Sequence, residues 1–144
     1  MALAQTSTPA KPPAASKVYI PGLEQFMNLI LIEHNKLWFA GKAHNWALAT
    51  YEIGETKEAM TDVQDVVPAF KNLPLAYMLD AVITKELFDF EKAIEAKNFK
   101  KFVAGHDKFN AACNACHQGT QNSFIVIQRP MSPAFTNQDY RSYK

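Results

Sequence analysis

Five consecutive residues, Cys113-Asn114-Ala115-Cys116-His117, constrain this chain more than any other feature. They contain its only two cysteines, three positions apart, and a histidine follows the second directly. Residues three apart share one face of a helical turn. C-x-x-C-H is the attachment signature of c-type haem: each thiol can add to one vinyl group, and the adjacent imidazole can ligate the iron from the proximal side. The expected cofactor is therefore haem c, held by Cys113 and Cys116, with His117 on the iron. The motif has two other readings. A zinc site needs four ligands, usually with a second Cys/His pair at similar spacing, and His34, His44 and His106 form no such pair. A redox dithiol would want a βαβ context, whereas the flanking sequence is helical in pattern.

That pattern starts at Gly22. Leu23, Met27, Ile30, Leu31, His34 and Trp38 recur at three- and four-residue steps, with Gly41 placed as a helix stop. A second helix fits residues 43–67, with Trp46, Ala49, Ile53, Met60, Val63 and Val67 inward; Gly54 weakens its middle by about 1 kcal/mol relative to Ala. A third starts near Pro74 and uses Met78, Ala81, Val82, Leu87, Phe90 and Ile94. Asn98 is placed to cap a fourth, which runs through Phe102, His106, Phe109, Cys113 and His117 to Gly119. Short loops imply antiparallel neighbours, so the expected fold is an all-α, up-down antiparallel four-helix bundle.

The domain divides as residues 1–21, 22–119 and 120–144. In the first segment, Ala2-Leu3-Ala4 matches the small-x-small pattern before a signal-peptidase cut, and a proline-rich lead-in follows. In the last, Phe124-Ile125-Val126-Ile127 before Arg129-Pro130 is expected to be extended and packed over the bundle. Lys and Arg number 15 against 14 Asp and Glu, so no bulk charge points to nucleic acid or an anionic membrane. No apolar run approaches the roughly 18 residues of a membrane span. Ten phenylalanines supply a core and an apolar cofactor pocket.

A C-x-x-C-H near the end of the last helix of such a bundle resembles the class II cytochromes c, cytochrome c′ and its low-spin c556-like relatives. The resemblance covers residues 22–119. It implies an exported, periplasmic electron carrier working with redox partner proteins, and no enzyme. The alternative is a five-coordinate protein binding nitric oxide or carbon monoxide. It also allows a homodimer. The chain departs from the family pattern at Gln121, where an Arg is usual, and in its tail. In the family the first helix lines the distal face, and a Met there is the sixth ligand in c556-like members, which points to Met27. His34, one face with Met27, and Met131 in the tail are the other candidates, or the distal position is open. Trp38, Trp46 and Phe109 are either porphyrin neighbours or plain core. Lys92, Lys97, Lys100, Lys101 and Lys108 form either a steering patch for an acidic partner or a solvated face.

Overall fold

The computed structural model describes residues 17–143. The expected signal remnant and most of the proline-rich lead-in lie outside these residues. Among the described residues the protein is all-α, with four helices and no strand. Three are single rods: α1 (Leu23–Lys42), α2 (Trp46–Val66) and α5 (Phe99–Gly119). The remaining helix joins α3 (Leu75–Ala81), a π-helical stretch (Val82–Leu87) and α4 (Phe88–Glu95). None is long and apolar enough to cross a membrane.

Asn98 caps α5 as its position suggests, its side chain accepting from the Lys101 amide at 3.0 Å. Asn45 does the same for α2, accepting from the Leu48 amide at 3.2 Å. The second helix starts later than its sequence pattern predicts because His44 takes left-handed backbone, φ 55°, and turns the chain before Asn45.

Gly41 is not the stop of α1. It is a point of close approach, since a Cβ there would lie 2.1 Å from Cζ of Phe102. Gly41→Ala should therefore cost about 2 kcal/mol, overpacking outweighing the gain in helix propensity. A Cβ at Gly54 would meet nothing within 4 Å, so Gly54→Ala should add about 1 kcal/mol. Denaturant midpoints of the two variants should move in opposite directions.

Phe90, Phe102 and Phe109 are fully buried at the centre of the core. Phe102 packs against Trp38 (6.1 Å between centroids), Trp46 (6.0 Å) and Phe90 (5.2 Å). The inward face of α1 is centred on Phe26, Ile30, His34, Leu37 and Trp38, so Leu31 points outward, against expectation. In the third helix the buried series is Leu75, Leu79, Val82, Leu87, Phe90 and Ile94. The five-residue step from Val82 to Leu87 spans the wider π turn. Ala81, just before the π turn, lies off the Leu75–Leu79–Val82 face and is exposed, contrary to the series expected.

Two polar clusters are buried in this apolar frame. On α1 and α2, Glu33 and Glu52 are buried as neighbours, with Lys36 Nζ 3.1 Å from Glu33 and 3.9 Å from Glu52. Burial, followed by the neighbouring Glu33, pushes the Glu52 carboxyl up to about 8. Between α1 and α5, His34 Nε2 donates to Asn110 Oδ1 at 2.6 Å, and Asn110 Nδ2 donates to His106 Nδ1 at 3.3 Å. Burial lowers both imidazoles, that of His106 to about 3 with His34 beside it as the next cause.

The tail after α5 is extended and tied down by polar contacts. Arg129 forms a bidentate pair with Asp107 and lies 5.4 Å over the Trp38 ring. Asn35 donates to Ser132 O at 3.0 Å, and Asn45 to Tyr140 O at 3.0 Å. Residues 124–127 are extended and lie against α5 with Phe124 80 % exposed and Val126 70 %. Backbone pairing, described below, holds this stretch.

Candidate functional site

The last two turns of α5 border an apolar cavity of about 390 Å³, within the roughly 300–1,000 Å³ span of small-molecule sites. Cys113, Cys116 and His117 all line it. Met27 and Ile30 reach it from α1, Met60 from α2, Leu75 and Leu79 from α3, and Val82 from the π turn. Its wall is therefore the inward apolar face of every helix except α4. Val82, the first residue of the π turn, continues the Leu75–Leu79 face of α3 into the lining.

Both cysteines are free. Burial pushes the Cys113 thiol up to about 12, with the neighbouring Cys116 adding to the shift, and burial raises Cys116 as well. Reactive dithiols have the opposite property, a lowered pKa beside a positive group or a helix N-terminus. These two thiols sit near a helix C-terminus and are neutral.

His117 Nδ1 lies 3.0 Å from the Ile125 carbonyl oxygen. A carbonyl only accepts, so Nδ1 carries the proton and Nε2 keeps its lone pair. That is how a metal-ligating histidine is usually oriented. Asn114, between the cysteines, grips the tail one residue pair further along. Its Oδ1 accepts from Ile127 N at 2.7 Å and its Nδ2 donates to Ile127 O at 2.9 Å. Thus Asn114 acts as a neighbouring strand would, and the motif itself holds residues 125–127. Asn114→Ala should release this stretch and cost about 1–2 kcal/mol, two hydrogen bonds at about 1 kcal/mol each. Faster amide exchange at Ile127 would be the direct readout.

The carbonyls that end α5 are also satisfied. Thr120 Oγ1 donates to Cys116 O at 2.9 Å, and Asn122 N donates to His117 O at 2.7 Å. This end of the helix is built to be still.

Met27 is the one distal candidate from the sequence that lines the cavity. His34 does not reach it, being engaged with Asn110 and lying tilted against His106 with ring centroids 4.5 Å apart. Met131 is 88 % exposed and also lies outside the lining. Met60 brings a second thioether, at a position that its spacing marks only as core. That inward position is the only sequence signal it offers. Trp38, Trp46 and Phe109 pack in the core and do not line the cavity. The lysine patch is a mixed-charge face: Lys92 pairs with Glu95 at 2.9 Å, and Lys101 and Lys108 share a shallow depression with Glu86 and Asp89.

Among the described residues no three His, Cys, Asp or Glu side chains converge on a common metal position. Comparison with protein-family models, with curated proteins and with solved structures returns no match.

Proposed function

We propose that the protein is an exported, monohaem c-type cytochrome acting in electron transfer. The observation that carries this reading is one cavity lined by both thiols of C-x-x-C-H and by a histidine whose Nδ1 is tied to a carbonyl. Zinc would need three or four protein ligands, and no three converge among the described residues. A haem iron asks the protein for only one or two. A redox dithiol would need lowered thiol pKa values, and burial raises them here.

The chain's own residues have clear tasks in this reading. Cys113 and Cys116 would hold the haem as two thioethers, each S–H adding across one vinyl double bond, an addition that would need no oxidant and release nothing. His117 would offer Nε2 to the iron, with Ile125 O fixing its tautomer and orientation. The apolar lining from Ile30, Leu75, Leu79 and Val82 keeps water from the ring. Once bound, haem would supply a one-electron ferric/ferrous couple.

Electron transfer is favoured over gas binding because a thioether, Met27, lines the same cavity as His117. A Met/His pair is a known axial set for cytochromes and raises the potential. The test is an optical spectrum of protein matured with haem-attachment machinery, oxidised and reduced, with and without carbon monoxide. Sharp, split α and β bands that carbon monoxide leaves unmoved are expected, and Met27→Ala should make them shift. If the wild type shifts strongly with carbon monoxide, the iron is open and the gas-binding reading replaces this one.

A further inference from the structure

The cavity has a polar mouth that attachment and ligation leave unused. Its lining carries one charged side chain, Glu24 at the start of α1, with Asn28 one turn on and Thr120 and Asn122 at the end of α5. A cation stands against this rim. Lys71 Nζ donates to Thr120 O at 3.3 Å and to Asn122 Oδ1 at 3.1 Å, and it lies 5.2 Å over the ring of Phe70, itself a lining residue. Lys71 therefore touches three residues of the cavity wall.

The turn that carries it is costly. Phe70 and Leu73 exchange both backbone hydrogen bonds, at 3.0 and 2.8 Å. Lys71 and Asn72 between them are both left-handed, at φ 49° and 63°. A two-residue turn of this kind favours Asn-Gly or Gly-Gly, and a residue such as Lys in that region costs roughly 1–2 kcal/mol, Asn less. Lys-Asn is an unfavourable choice for the turn alone, yet it brings the ammonium to the cavity mouth.

We infer that Lys71, set against Thr120, Asn122 and Phe70 at the cavity mouth, is the counter-charge for a carboxylate of an acidic tetrapyrrole bound in the cavity. The inference rests on the haem reading above and adds the ligand's orientation. The carboxylate edge faces the 70–73 turn and the end of α5. Lys71 is a positioning and recognition residue in this role, since it does not reach the iron. An ammonium freed from Thr120 O and Asn122 Oδ1 needs only a rotamer change to meet a carboxylate, and three donors allow it to keep one of its present bonds.

Ferric protoporphyrin IX and its dimethyl ester separate the charge effect from all others. Each is titrated into the full chain with reduced thiols, before covalent attachment, and binding is followed by the Soret absorbance. Lys71→Met should weaken the diacid on the order of tenfold and leave the diester within about twofold, and Lys71→Arg should restore most of the loss. Equal weakening of both porphyrins would mean that Lys71 only caps α5, and no weakening of either would mean that it does nothing here. Either result overturns the inference while leaving the haem reading standing. Failure of the wild type to bind either porphyrin would instead remove the haem reading, and this inference with it.

Discussion

Replacing Cys113 and Cys116 together by Ala is expected to abolish covalent haem while leaving the helical fold in place. Each thiol is the sole route to one thioether, and the chain holds no third cysteine to substitute. Cys113→Ala or Cys116→Ala alone should retain a single thioether. The loss is a change in covalent chemistry and not in stability: Ala favours the helix, and both side chains are only partly buried at the cavity wall. His117→Ala should separate the two tasks of the motif. It keeps both thiols, so attachment can proceed, but it removes the imidazole and with it the bond to Ile125 O. The reduced spectrum of that variant should lose the sharp bands of a six-coordinate iron, and added imidazole should restore them in part. Covalent haem in the double cysteine variant at the wild-type level would contradict the assignment outright.

Stability should peak near pH 6.5 and fall on both sides, each limb traceable to one buried cluster. On the acid side, His106 is lowered to about 3, and His34 is lowered as well. In the unfolded chain both titrate near 6.5, so the unfolded state binds more protons between pH 6.5 and 3. Stability is then lost as pH falls through that window. On the alkaline side, Glu52 is raised to about 8. The folded protein holds a proton that the unfolded chain has released, and stability falls as pH rises from about 4.5 to 8 before levelling. Each proton difference contributes a slope of up to about 1.4 kcal/mol per pH unit. Between pH 4.5 and 6.5 His106 offsets Glu52, and His34, lowered as well, adds to the loss below its ordinary value. Glu52→Gln should flatten the alkaline limb alone, and His106→Gln should flatten much of the acid one. Urea unfolding from pH 4.5 to 9 measures both. A wild-type curve that is flat from pH 6.5 to 8 would show that Glu52 ionises freely.

The parts of this fold that are legible in the sequence are those with a local cause. The 3–4 spacing of apolar residues marks all four helices, and Asn98 marks the start of the last because an N-cap side chain acts within three residues. Cys113, Cys116 and His117 are adjacent in sequence, so their meeting at one cavity follows from one helix. Met27 could be placed there only through the resemblance to class II cytochromes c. What escapes has non-local causes. Glu33, Glu52 and Thr56 look like solvent-facing positions until α1 and α2 are packed together. Gly41 looks like a helix stop until the Phe102 ring is seen against it. The π turn leaves a faint trace, the five-residue gap from Val82 to Leu87. Lys71 leaves none, because its partners, Thr120 and Asn122, are some fifty positions away. The apolar run at residues 124–127 suggests packing, but how it is held escapes for a related reason: Asn114 and His117 bind its backbone.

The most direct measurement is the intact mass, under denaturing conditions, of protein coexpressed with haem-attachment machinery and directed to the periplasm. The expected result is a single species heavier than the polypeptide by one haem, with an alkaline pyridine spectrum typical of two thioether links. A mass equal to the bare polypeptide, from cells that attach haem to a control cytochrome, would contradict the assignment of Cys113, Cys116 and His117 to a haem site.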